Sequence, residues 1–256
     1  MNLISDILLH QYIENFPQGL EEKFHALHDA EISNDSFSFY TSVASVFSSK
    51  IEGEEIELDS YVKHKRFGIE FLPDYTKKID DLYSAYIFAK TNSLNKDSIS
   101  KVHEILAKNI VAQHQQGKNR IHNMYVASDD GKIEYVAISP YQLESEMENF
   151  YDDLNELLLK NLNFKEILYY ASMIHLVFVK IHPWNDGNGR SARLIEKWFI
   201  SEKLGAQAWY IQSEKNYYQN HQLYYKNLIV LGLEYELLNY TKALPFLQML
   251  PQSLLL

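Results

Sequence analysis

The chain has 256 residues, 46% of them hydrophobic, which suits one or two domains with a sizeable buried core and excludes a disordered polymer. Its 24 basic and 34 acidic residues leave a formal net charge of −10, with no Lys/Arg cluster outside one short segment near residue 190, so an extended nucleic-acid footprint is not expected. It has no cysteine, which excludes disulfides, thiolate nucleophiles and Cys-ligated zinc; residues 1–6 lack a basic region and no run reaches membrane-spanning length, so no membrane association and a cytoplasmic location are expected.

Nine glycines and six prolines leave few breakers. Taken along the chain, apolar residues recur at helical spacing over 3–15, 20–31 and 38–51. The acidic run 52–59 reads as a solvated stretch. Helical spacing resumes over 76–91, 98–110, 140–160, 164–181, 188–204, 216–231 and 236–250. One interruption stands out: Tyr125, Val126 and Ala127, then Asp129-Asp130-Gly131, then alternation over 133–138, the pattern of two short strands around a turn. The fold class predicted is all-α with one small β-hairpin. Residues 1–75 are expected to form an N-terminal helical region and 76–256 a core with C-terminal helices.

Chemistry concentrates at residues 182–193, His-Pro-Trp-Asn-Asp-Gly-Asn-Gly-Arg-Ser-Ala-Arg. His182 carries the one side chain whose ordinary pKa lets it take a proton near neutrality. Gly187 and Gly189 let backbone N–H groups approach an anion, and the helix expected after them puts its positive end at the same place. Arg190 and Arg193 are three residues apart on one face of that helix and can fork onto phosphates. Asp186 supplies a hard carboxylate oxygen suited to Mg²⁺ beside those phosphates. The string is neither a Walker A loop nor G-x-G-x-x-G.

Residues 182–193 resemble the signature of the Fic family, H-P-F-x-[DE]-G-N-G-R-x-x-R, with Trp184 in place of Phe. The resemblance implies a helical fold and transfer of AMP from ATP-Mg²⁺ to a Ser, Thr or Tyr hydroxyl of a target protein, with release of pyrophosphate. It implies His182 as base, Asp186 as metal ligand, Gly187, Asn188 and Gly189 around the α-phosphate, and Arg190 and Arg193 on the distal phosphates. Residues 48–53, Ser-Ser-Lys-Ile-Glu-Gly, resemble [ST]-x-x-x-E-[GN], the inhibitory motif of self-restrained members, and single out Ser48 and Glu52. The hairpin within 120–139 resembles the flap that engages the target by adding a strand; Arg120 closes a string that departs from the family's G-x-Y-R by having Asn119. Residues 220–228 resemble N-R-x-x-Y-Y-x-x-L beside the adenine pocket, with His221 for Arg, and bring forward Tyr224 and Tyr225.

From this follows an autoinhibited adenylyltransferase in which Glu52 pairs with Arg193. The alternatives are removal of AMP at the same site, transfer of another group, or a non-catalytic nucleotide-binding module, the last disfavoured by an intact His182. The other histidines form no H-E-x-x-H; His25 and His28 read as surface residues and His175 as a core histidine.

Overall fold

The computed structural model describes residues 1–71, 75–127 and 131–256. Among these the helices are α1 (Leu9–Glu14), α2 (Leu20–His25), α3 (Phe39–Ile51), α4 (Leu58–Phe67), α5 (Lys77–Thr91) and α6 (Lys96–Leu106), then α7 (Pro140–Leu159), α8 (Phe164–Ile181) and α9 (Asn188–Leu204). The C-terminal part carries α10 (Ser213–Gln219), α11 (His221–Ile229), α12 (Leu244–Leu247) and α13 (Met249–Gln252). Strands β1 (Tyr125–Ala127) and β2 (Ile133–Val136) form one antiparallel hairpin, with Tyr125 opposite Val136. The fold is therefore all-α with a single small hairpin. Asp129 and Asp130 of the expected turn lie outside the described residues. No helix among the described residues is long and apolar enough to cross a membrane.

Helix α8 is the axis of the core. It is apolar around its circumference, the mark of a helix enclosed on all sides, and fifteen of its 18 residues are buried. Asn163 starts it with a capping box, its side chain accepting from Glu166 N while the Glu166 carboxylate accepts from Asn163 N. Against α8 pack α9, α7, α1, α12 and α13. Ile4, Leu8, Tyr12, Leu20 and Phe24 from the N-terminal segment join the same cluster as Leu168, Phe178, Trp198 and Phe246. A smaller cluster of Val46, Ile56, Tyr61, Ile79 and Tyr83 ties α3 to α4 and α5.

Five stretches depart from the periodicity. Over 20–31 only α2, Leu20–His25, is helical, ending at Ala26. Over 3–15 only α1 is helical, because Asn2, Leu3 and Ile4 donate their N–H groups to the buried Asp153 carboxylate at 2.5, 2.6 and 2.7 Å instead of starting a turn. The acidic run ends in α4, which sequence periodicity missed: its charges suit a helix, with Asp59 in the first turn and Lys65 and Arg66 in the last, but it buries only Tyr61. The expected helix over 216–231 divides at Asn220, whose side-chain amide turns back on Asn216 O. Residues 236–250 break into short turns around α12, which begins with Pro245 in its first turn.

Candidate active site

The loop joining α8 to α9 is held from three sides. His182 ends α8 at φ 55°, the only non-glycine with positive φ among the described residues and a conformation that costs on the order of 1 kcal/mol for an L side chain. Buried Arg120 compensates: its Nε donates to His182 O at 2.8 Å, its Nη1 to His122 O at 2.8 Å and its Nη2 to Ile138 O at 2.5 Å, while Arg120 N donates to Pro183 O. One guanidinium thus joins both ends of the flap to the catalytic loop. From below, His103 on α6 donates through Nε2 to Asp186 O at 3.0 Å and accepts Gly117 N at Nδ1, and its ring stacks on Trp184 at 4.3 Å. Burial pushes the His103 pKa down to about 4. Across the loop, Asn188 Oδ1 accepts Trp184 N and its Nδ2 donates to Trp184 O.

That pairing redirects one expectation. The Asn188 amide closes the loop on Trp184, so any phosphate contact from this residue falls to its backbone N–H. Trp184 is 1% exposed and packs against His103 and Phe178, filling the place of the family's Phe.

Gly187 precedes α9 at φ 81°, where a side chain would also press on Leu106 at 3.0 Å. The first-turn N–H groups after it have no helical acceptor. Arg190 is 4% exposed; its Nη2 meets Asp186 Oδ1 at 3.3 Å, whereas Nε and Nη1 are buried with no hydrogen-bond partner. Orphaned guanidinium donors at a helix start fit an anion, and the site fits a polyphosphate on that observation. Among the described residues no three His, Asp or Glu side chains gather as a metal cage. Asp186, half-exposed, suits a Mg²⁺ whose other ligands are phosphate oxygens and water.

His182 Nδ1 lies 3.3 Å from Val179 O. A carbonyl only accepts, so Nδ1 carries the proton and Nε2 keeps the free lone pair. Burial, helped by Arg120, lowers the His182 pKa to about 4, which leaves the ring neutral at physiological pH as a base must be.

The N-terminal motif meets this loop across 141 positions of sequence. Arg193, 1% exposed, donates from Nε to Ser48 Oγ at 2.9 Å, from Nη2 to Ser48 O at 3.0 Å and to Glu52 Oε1 at 2.6 Å, and from Nη1 to Tyr224 OH at 3.4 Å. The expected pair is there in one-armed form, since Ser48 takes the donors that a bidentate carboxylate would have used. Burial alone would raise the Glu52 pKa, but Arg193 and Arg190 outweigh it and hold the carboxyl below its usual range. Glu52 Oε1 stands so near Gly189 that a Cβ there would meet it at 2.5 Å.

A pocket opens beside these groups, lined by Glu52, His182, Gly189 and Arg193 together with Val126, Glu134, Val179, Leu228, Ile229 and the tyrosine pair 224 and 225. Tyr224 is 1% exposed and its hydroxyl also bonds His175 Nε2 at 2.9 Å, while His175 Nδ1 meets Glu196 Oε2 at 2.7 Å. Tyr225 OH reaches Ile51 O at 3.4 Å, and His221 Nε2 approaches the same carbonyl at 3.3 Å. Of the residues singled out in the sequence, Glu52, His182, Gly189, Arg193, Tyr224 and Tyr225 line one pocket and Ser48 reaches it through Arg193, whereas Asp186, Gly187, Asn188 and Arg190 are not part of its lining. His103 and Arg120 were not among those singled out: an isolated histidine on the apolar face of a helix reads as core, and Arg120 stood in a string that departs from the family's flap entry.

The fold thus sets a neutral histidine beside a helix start with unpartnered Arg190 donors. Residues 93–200 match the family model described as the Fic/DOC family. Over 106 residues the chain is 30% identical to a curated protein named "Protein adenylyltransferase Fic" from Nematostella vectensis, a match covering 40% of this chain and 24%, about a quarter, of that protein's length. Among solved structures, a Fic family protein from Desulfovibrio desulfuricans G20 shares the fold with a TM-score of 0.70 at 20% identity, covering 84% of this chain and 62% of that one. A Fic domain containing signaling protein from Bacteroides thetaiotaomicron VPI-5482 does so with a TM-score of 0.64 at 15% identity, covering 97% and 92%. Residues 93–200 thus carry the Fic/DOC family match, and the chain shares the fold of solved Fic family proteins.

Proposed function

We propose that the chain is a self-restrained protein adenylyltransferase that moves AMP from ATP to a Ser, Thr or Tyr hydroxyl. The observation that carries this reading is that Glu52 holds Arg193 at 2.6 Å in the pocket where neutral His182 stands ready as a base.

In the reaction, Nε2 of His182 takes the hydroxyl proton of the target while its oxygen attacks the α-phosphorus of ATP. A new P–O bond forms, the bond to the bridging oxygen breaks and pyrophosphate leaves. The first-turn N–H groups of α9 hold the α-phosphate, and Arg190 and a freed Arg193 hold the others. Asp186 would hold a Mg²⁺ ion, which would supply neutralisation of phosphate charge. With Glu52 in place, a carboxylate lies where a distal phosphate belongs and Arg193 is turned away from it, so the α-phosphate is misaligned for attack.

The target's extended segment joins the flap at β1. Val136 N of β2 already donates to Leu233 O at 2.7 Å, whereas no strand among the described residues pairs with the outer edge of β1. Glu52 lining the same pocket as His182 also favours a second reading, in which it positions water to remove AMP.

Incubation with α-labelled and, separately, γ-labelled ATP tests the first reading. Label retained on protein only from the α position is expected; retention from γ alone means phosphate transfer. Loss of label from a pre-modified target on incubation with wild-type protein and Mg²⁺ identifies AMP removal.

A further inference from the structure

The pocket is chemically mixed. Gly189 and Arg193, with Arg190 nearby, offer an N–H group and positive charge, Val126, Val179, Leu228, Ile229 and the ring of Tyr225 are apolar, and Glu52 and Glu134 add carboxylates. A nucleotide seated there would put its phosphates toward Arg193 and its base among the apolar side chains. Lys180 also lines this pocket, two residues before His182, and is 2% exposed. No described residue forms an ion pair or hydrogen bond with its ammonium. Its Nζ lies 4.0 Å from the centre of the Tyr135 ring on β2, and the Tyr135 hydroxyl donates to the Lys180 carbonyl at 2.5 Å. The Tyr135 ring therefore covers the ammonium with an aromatic face. Burial pushes its pKa down to about 8. A buried cation without a counter-charge costs stability, and a fold keeps such a group where a ligand completes it.

We propose that Lys180 reads the nucleobase, donating from Nζ to a ring-nitrogen or carbonyl acceptor on the base edge. This rests on the nucleotidyl-transfer reading and adds to it the residue that chooses among nucleotides. An ammonium has three donors and no acceptor, so an amino group presented at the same point is rejected. The position is one turn-fraction from the catalytic base on a rigid buried helix, so a base misplaced at Lys180 also misplaces the α-phosphate relative to His182.

The test uses the full chain, wild type and Lys180→Met, with displacement of a fluorescent ATP analogue by ATP, GTP, CTP and UTP, each in Mg²⁺, alongside thermal melting. Wild type is expected to rank the four nucleotides. Lys180→Met should weaken the preferred one roughly 10-fold, leave the poorest nearly unchanged and so compress the ranking. Its Tm should be equal or higher, because methionine fills the space without a buried charge. Lys180→Arg should keep the order. An equal loss for all four nucleotides places Nζ on the phosphates and overturns the proposal, as do unchanged affinities. A lower Tm or a failure to fold for Lys180→Met assigns the lysine to the scaffold and also overturns it. If wild type binds none of the four, the nucleotidyl reading falls and takes this inference with it; binding with an unaltered ranking in the variant sinks the inference alone.

Discussion

His182 and His103 sit 79 positions apart and do opposite jobs with the same imidazole. His182 presents a free Nε2 to the pocket, so His182→Ala should cut transfer by on the order of 10²–10⁴-fold while ATP affinity stays within about twofold, as measured by labelled transfer and by titration. Because its pKa is lowered to about 4, the base is already neutral from pH 6 to 8, and the rate should show no acid limb in that range. A rate that rises steeply through pH 6.5 would assign the base elsewhere. His103 has both nitrogens in use and titrates only with loss of the loop. Its folded pKa of about 4 lies below the ordinary 6.5, so between those values the unfolded chain binds the extra proton. The stability this gives is complete above pH 6.5 and is lost as pH falls to about 4, up to ~3 kcal/mol for a fully buried ring. His103→Gln, which can still donate to Asp186 O, should reduce the slope of that part of the Tm-versus-pH curve, His182 with its equally lowered pKa supplying a further share. An unchanged slope would refute the linkage.

At the scale of elements, the proposed restraint centres on the end of α3 and its cap Glu52, which touch two other helices, α9 at Arg193 and α11 at Tyr225 and His221, through Ser48, Ile51 and Glu52. Glu52→Gly should raise modification of a target on the order of 10²-fold, since a misplaced phosphate suppresses the rate by that much. Arg193→Ala should show no such release, because the productive phosphate contact goes with the inhibitory one. Equal activity of Glu52→Gly and wild type at saturating ATP-Mg²⁺ would remove the regulatory role. Most of this was legible: α8 and α9 begin and end where periodicity and the signature place them, because caps and apolar faces are both written in local sequence. What local sequence does not carry is which distant carbonyls a cation reaches. Arg120 shows this, spending its donors on His122, Ile138 and His182. Helix α4 stayed hidden for a different reason, a single buried side chain being too little periodicity to detect.

Across the whole molecule, the N-terminal segment matters to the core as much as to regulation. Ile4, Leu8, Tyr12, Leu20 and Phe24 are buried with α8 and the C-terminal helices, so the packing runs across the boundary near residue 75 that the sequence suggests. Its start is held by Asp153 on α7, which is 1% exposed and accepts three consecutive N–H groups, with further contacts from Met1 N to Glu156 and from Tyr169 OH to Ser5 O. Asp153→Ala leaves three donors short of an acceptor, each costing about 1–3 kcal/mol when buried, less where Asn2 and Leu3 regain water. A net loss of about 3 kcal/mol and a Tm drop of roughly 10 °C are expected for a chain of this size. The active site should not notice, because Asp153 touches neither the 182–193 loop nor α3: below the new Tm, ATP affinity and the Glu52→Gly release should match wild type. Melting curves and transfer assays on the same preparations check both halves. If Asp153→Ala instead activates transfer at unchanged Tm, the N-terminal segment acts on Glu52 directly and the scaffold role assigned to it is wrong.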